Sequence, residues 1–288
     1  MTTASAGAPA IKIPAFVWNV VRHLAWLLRT PNSQPKSRLL GAYLKLCLKY
    51  LFAVRLLGRT FPTERLLGFT VTFYDYHALI LLFEEIFVLE SYRFAAASQT
   101  PLILDCGSNI GMAVLYFKTI YPGGRVIAFE PDRRSFEALS HNVKDNGLSG
   151  VEFFNCALFD REGVLDFYDD PVHPGDMGAS AKRPGHGTHR TVQAVLLSNY
   201  VTEEVDFLKM DIEGSEDEVT MELTRQGKLG LIREGIIEYH HHIDPQKDRL
   251  AGFLGLLESH DFGYQISTFC RFEKYKEQLM LVYVYRKR

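Results

Sequence analysis

The first 63 residues contain neither aspartate nor glutamate, yet nine basic residues fall among them: Lys12, Arg22, Arg29, Lys36, Arg38, Lys45, Lys49, Arg55 and Arg59. The rest of the chain holds 23 basic against 34 acidic residues, a balance of −11 that the overall −2 conceals. A basic arm on an acidic body calls for an anionic partner at the arm. Cysteine is scarce as well. Cys47, Cys106, Cys156 and Cys270 lie far apart with no CxxC pair. That excludes a disulfide framework and a zinc ribbon and suits a reducing cytoplasm. No charge-free run approaches the ~18 apolar residues of a membrane span. A secretory leader is disfavoured, because the extreme N-terminus is uncharged and Arg22 interrupts the apolar stretch.

What remains is the composition of a globular protein, 47% hydrophobic and 23% charged over 288 residues, enough for one full domain plus additional material. Residues 1–63 form a basic, amphipathic helical extension, and 64–288 form the main domain. Residues 16–29 and 37–59 read as helices rich in Leu, Trp, Tyr and Phe. On the second, Arg38, Lys45 and Lys49 share a stripe, as in an interfacial helix lying on acidic headgroups at a cytoplasmic membrane face. The competing reading packs both helices on the main domain or on a second subunit of a homodimer.

Beyond Pro62 a strand is expected over 68–74 and a helix over 78–92. Strands at 102–105, 125–130, 151–155, 205–211 and 235–240 then alternate with helices at 111–121, 134–146, 217–227 and 245–259. That alternation predicts an α/β fold with a doubly wound, mostly parallel sheet. Strands near 163–168 and 191–196 form an excursion, and 263–269 with 278–286 read as a C-terminal antiparallel hairpin at the edge. Residues 170–190, dense in Gly, Pro and His, have the makings of a substrate lid.

Two runs locate a cofactor. LILDCGSNIG (102–111) is a buried strand that ends in Asp105 and turns through Gly107 and Gly111 into a helix. VIAFEP (126–131) is a second strand, ending in Glu130 and Pro131. An acid after the second strand takes the two hydroxyls of an adenosine ribose. A pyrophosphate cofactor wants the three glycines of GxGxxG, and this turn has two, with Ser108 and Asn109 in the crowded middle. S-adenosyl-L-methionine fits better, with Ala157 and Leu158 near its adenine. A second pair of runs, FLKMDIEGSE (207–216) and IIEYHHH (236–242), brings Asp211, Glu213, Glu238 and His240 to one rim. His240, held by Asp211 or Glu213, is the expected general base for an acceptor hydroxyl. Asp211, Glu213 and His240 could also hold a divalent ion, but no metal is expected, and Glu216 and Asp217 read as helix-capping acids.

The runs DCGSNIG, VIAFEP, NCALFD, FLKMDIEGSE and IIEYH together resemble the FkbM-type S-adenosylmethionine-dependent methyltransferases over about residues 66–285. Upstream, Glu85-Ile86-Phe87 with Tyr92 fits the same pattern, which implies a cofactor-side role for Glu85 and Tyr92. The resemblance implies a class I methyltransferase fold and methyl transfer to a hydroxyl of a sugar, glycan, lipid-linked or polyketide-type acceptor. Met177 and Ser180, in a short run similar to a family pattern, become candidate substrate contacts. Two other readings stay open: a nicotinamide-dependent oxidoreductase, and a non-catalytic cofactor-binding scaffold recruited to membranes by its arm. Nucleic acid is not an expected partner, since the body is acidic and no Asn-Pro-Pro-aromatic motif occurs.

Overall fold

The computed structural model describes residues 13–168, 189–241, 249–268 and 278–287. Helices α1 (Ile13–Arg29) and α2 (Lys36–Lys49) come first, and α2 runs on into a π-helical turn, Tyr50–Leu56. They form an antiparallel hairpin: Phe16 packs on Tyr50 with ring centroids 5.2 Å apart, and His23 on Tyr43 at 6.2 Å. At the closed end, Lys36 Nζ donates to the Leu28 carbonyl at 2.8 Å. Next come β1 (Thr63–Leu66) and β2 (Phe69–Thr72), an antiparallel pair, then α3 (Tyr76–Phe83) and a second π-helical turn, Glu84–Val88. The long helix expected over 78–92 is therefore shorter and widens at its end. β1, with charged residues at two of its four positions, gives no strand signal in the sequence.

The α/β unit follows as β3 (Leu102–Cys106), α4 (Met112–Ile120), β4 (Arg125–Phe129), α5 (Arg133–Lys144) and β5 (Val151–Phe154). An excursion of β6 (Ala157–Leu158), β7 (Gly163–Tyr168) and β8 (His189–Val195) forms a separate three-stranded sheet. The chain then returns through β9 (Val205–Met210), α6 (Glu216–Arg225), β10 (Ile232–His241), α7 (Leu250–Ser259), β11 (Phe262–Thr268) and β12 (Gln278–Arg286).

The seven-stranded sheet has the order β5-β4-β3-β9-β10-β12-β11. β12 alone runs against the others, inserted between β10 and β11. The C-terminal hairpin is thus confirmed, but its antiparallel strand lies inside the sheet and β11 forms the edge. The order reverses between β3 and β9, the switch point where such sheets bind ligands. Continuous apolar runs make the central strands, because helices cover both faces. Ile103 and Phe207 face one cluster with α4, and Leu104 and Leu208 face the other with α6 and α7.

The N-terminal hairpin joins the first of these clusters. Leu27, Leu39, Tyr43 and Leu46 are fully buried in the same core as Ile103, Phe117 and Phe207. Two buried carboxylates tie it down. Glu84 accepts from Asn19 Nδ2 at 3.0 Å and from the Tyr43 hydroxyl, and lies 3.2 Å from His23 Nδ1. Glu64 pairs with Lys45 at 2.6 Å and Lys49 at 2.5 Å and accepts from the Tyr76 hydroxyl at 2.9 Å.

Burial alone would raise the pKa of Glu64, but the hydrogen bonds from Lys45, Lys49 and Tyr76 hold it below the ordinary 4.5. Its stabilisation is therefore present above pH 4.5 and is lost as the pH falls. Glu64→Gln is expected to cost about 1–3 kcal/mol at neutral pH, measured by urea unfolding. The gap from wild type should close in acid; a gap that does not change with pH would contradict the ion-pair role.

Candidate active site

The turn after β3 is fixed by its own backbone. The Gly107 and Ser108 N–H groups both donate to the Phe129 carbonyl, at 3.0 and 2.9 Å, and Ser108 Oγ donates to the Asp105 carbonyl at 2.8 Å. Gly107 and Gly111 both sit at φ +84°, where side chains are strained. A Cβ on Gly107 would lie 1.7 Å from the Asp211 carbonyl oxygen, and one on Gly111 would lie 2.6 Å from Leu139 Cδ1. The glycines thus let β3 approach the end of β9, and α4 approach α5. Close packing within the protein, rather than access for a ligand, is what demands them here.

Glu130, at the end of β4, is buried and reaches back over this turn. It accepts from the Asn109 N–H and the Asp132 N–H, both at 2.7 Å. Burial pushes its pKa up to about 8, against the pull of those two donors. Each carboxylate oxygen keeps a lone pair for a further donor. Around it opens a cleft, bounded by Asn109, Glu130, Cys156, Ala157, Leu158 and Leu165 on one side. An acid able to accept two hydroxyls beside an apolar sleeve suits a ribose carrying a purine, so the residues present fit S-adenosylmethionine.

Across the cleft stands Lys209, which sequence reasoning passed over as a strand residue. Its ammonium is buried, 3.6 Å from Asp105 Oδ1 and 3.5 Å from Asp211 Oδ2, and donates to the Gly107 carbonyl at 2.6 Å. Burial would lower its pKa, but Asp211, Asp105, Glu238 and Glu85 raise it above the ordinary value. Asp105 is wholly buried and pairs with Lys209; neither it nor Gly111, both expected on the cofactor side, lines the cleft. Ser108, Pro131, Glu85 and Tyr92 do line the cleft, and the Tyr92 hydroxyl donates to Glu85 at 2.8 Å. Burial and the Asp211 charge raise the pKa of Glu85.

His240 departs most from expectation. Its Nε2 lies 3.2 Å from Glu213 Oε2, and its Nδ1 lies 3.1 Å from Glu216 Oε1. Burial would lower its pKa, but the two carboxylates raise it to about 12. An imidazolium hydrogen-bonded at both nitrogens has no lone pair for a proton, an arrangement that favours a bracing role over that of the expected general base. Glu216, expected as a cap, accepts from the Gly214 N–H at 2.9 Å and orients the ring. Glu213, at φ +54°, is carried into position by the turn after β9. Ligand atoms of Asp211, Glu213 and His240 come within 4.8 Å of one another, and the ion pairs just described organise them.

Asp211 and Glu213 line the cleft, whereas His240 and Glu238 do not. Burial, Asp211 and Glu85 push the pKa of Glu238 up to about 9. Met177, Ser180 and the 170–188 part of the expected lid lie outside the described residues. The signal for Lys209 was a lone cation inside the apolar run FLKM. Glu216 carried none beyond its place in a helix's first turn.

The strand order, the glycine turn at the switch point and the acid after β4 define a class I methyltransferase that uses S-adenosylmethionine. The model of the methyltransferase FkbM domain matches residues 105–266, more than half of the chain. The chain therefore belongs to the FkbM methyltransferase family, which sets the nicotinamide alternative aside. Methyltransferase sdnD of Sordaria araneosa is 28% identical over 190 residues, covering 54% of this chain and 73% of that protein. The 31-O-demethyl-FK506 methyltransferase FkbM of Streptomyces tacrolimicus is 28% identical over 229 residues, covering 68% and 86%. The 2-O-methyltransferase NoeI of Sinorhizobium fredii is 26% identical over 137 residues, covering 41% and 56%.

With a pKa raised from 6.5 to about 12, the stabilisation from His240's ion pairs is full below pH 6.5 and drains away as the pH climbs toward 12. The ring carbon–proton signals of His240 should accordingly stay constant in NMR spectra from about pH 6 to 9. A midpoint near 6.5 would restore it as a base.

Proposed function

We propose that this methyltransferase transfers its methyl group to a hydroxyl of a sugar, lipid-linked or polyketide-type acceptor. The observation that carries the reading is Asp211: a carboxylate at the cleft wall, beside the cofactor turn. Two of the relatives, named for O-methylation, support oxygen as the acceptor atom. When bound, S-adenosylmethionine supplies a methyl group activated on a sulfonium. Glu130 would hold the ribose hydroxyls, Ala157 and Leu158 the adenine, and Asn109 and Glu85 the amino-acid end. Six carboxyl groups (Glu85, Asp105, Asp211, Glu213, Glu216 and Glu238) gather around two cations, Lys209 and His240. That surplus favours a cationic ligand in the cleft.

Asp211 then has two tasks. It accepts the hydrogen bond of the acceptor hydroxyl, fixing the oxygen in line, and takes the proton as the bond to carbon forms. Lys209 holds the Asp211 carboxylate in place. Glu213, pinned by His240, limits where the acceptor can sit.

Glu130→Ala should weaken S-adenosylmethionine binding in calorimetry by on the order of tenfold or more, as its hydrogen bonds to the ribose hydroxyls are lost. Asp211→Asn should bind the cofactor but lose about 10²–10⁴-fold in turnover. Labelled cofactor offered to sugar, lipid-linked and polyketide acceptors should give a product whose methyl sits on oxygen. A product methylated on nitrogen or carbon, or full turnover in Asp211→Asn, would overturn the reading.

A further inference from the structure

The N-terminal hairpin buries one side in the core and leaves an apolar side bare. On α1, Val17, Val21 and Leu28 recur at helical spacing on a stripe away from the buried Phe16, His23 and Leu27, and Leu28 is 62% exposed. Trp18 borders that stripe at 71% exposure, and Trp26, further round the helix, is 46% exposed. On α2 and its π-helical extension, Leu44, Leu48, Phe52 and Leu56 continue the pattern, with Leu56 at 73%. Because the helices are antiparallel, Leu48 lies at the level of Trp18 and the two stripes run side by side along one hairpin. Scattered exposed apolar residues are ordinary; eight grouped on two adjacent helices are not.

Charge says what covers this side. Trp18, Arg22 and Arg29 follow one another along α1 at spacings of four and seven, and Arg55 and Arg59 stand at the far end of the hairpin beside Leu56. All four arginines are exposed. No carboxylate precedes Glu64 in the chain, and the acids that bond to the hairpin, Glu64, Glu84 and Glu90, are buried and committed inward. A second copy seated face to face would set arginine against arginine. No described helix is long and apolar enough to cross a membrane. Apolar side chains, tryptophans and a basic rim on a helix that cannot span are the signature of an element lying in the lipid–water interface.

We propose that the α1–α2 hairpin seats this methyltransferase on an anionic lipid bilayer, its leucines at the acyl boundary and its arginines among the headgroup phosphates. The proposal stands apart from the choice of methyl acceptor, since no residue of the cleft takes part in it.

The chain carries its own probe, because Trp18 and Trp26 are its only tryptophans. Full-length protein mixed with phosphatidylcholine–phosphatidylserine vesicles should cosediment, with its tryptophan emission moving to the blue. Vesicles of phosphatidylcholine alone should bind on the order of tenfold or more weakly, and added salt should release the protein. Arg22→Glu/Arg29→Glu and Leu28→Ser/Leu48→Ser alter exposed positions. Each should lose on the order of tenfold in vesicle affinity while keeping the wild-type circular dichroism and S-adenosylmethionine affinity. Failure to bind anionic vesicles would overturn the proposal, and so would equal binding by both variants. A blue-shifted emission in buffer, together with a dimer in light scattering, would assign the face to a second copy instead.

Discussion

Lys209 places a full positive charge where water hardly reaches. Its ammonium lies between Asp105 and Asp211 and donates to the Gly107 carbonyl. Three parts of the site meet at that atom: the end of β3, the glycine turn that follows it, and the end of β9. An unpaired buried charge would cost several kcal/mol, so each partner holds the others in place. Gly107 has no side chain because the Asp211 carbonyl already occupies that space. The cofactor turn is therefore shaped by the strand beside it, and the cleft at the switch point exists before any ligand enters. Asp211, the residue argued to handle the acceptor's proton, is positioned by the same cation.

A second buried unit, His240 with Glu213 and Glu216, braces the far wall. The two units share a logic, each setting a cation among carboxylates so that one carboxylate faces the cleft. The carboxyl groups outnumber the cations, and burial pushes Asp105, Glu85 and Glu238 toward their protonated forms. A ligand carrying positive charge relieves that tension, as a sulfonium with an ammonium group would. The electrostatics thus point to the same donor as the missing third glycine does.

Much of this was legible in the chain. The runs ending in Asp105, Glu130 and Asp211 gave the strands and their order of use, because a continuous apolar run bounded by an acid and glycine has few other readings. Glu130, Asn109, Ala157 and Leu158, expected on the cofactor side from their chemistry, do line the cleft. Lys209 was missed because nothing in FLKM says that its neighbours in space are two aspartates. The carboxylates on both sides of His240 were hidden for a related reason. Its residue type was visible, but its protonation state depends on Glu216, 24 positions away in sequence. The insertion of β12 inside the sheet was equally hidden, since a hairpin at a chain end pairs the same way at an edge or within.

The buried Lys209 unit can be tested by neutralising it as a pair. Asp105→Asn/Lys209→Met removes the two deeply buried groups together and leaves Asp211 at the open cleft wall, so the fold is kept where a single change would strand a buried partner. Calorimetric titration of this variant with S-adenosylmethionine, alongside circular dichroism, is the direct measurement. Native secondary structure with affinity reduced by on the order of tenfold or more is the expected result, because the turn is no longer tied to β9. Native structure with wild-type affinity would contradict the dependence of the site on that one buried cation.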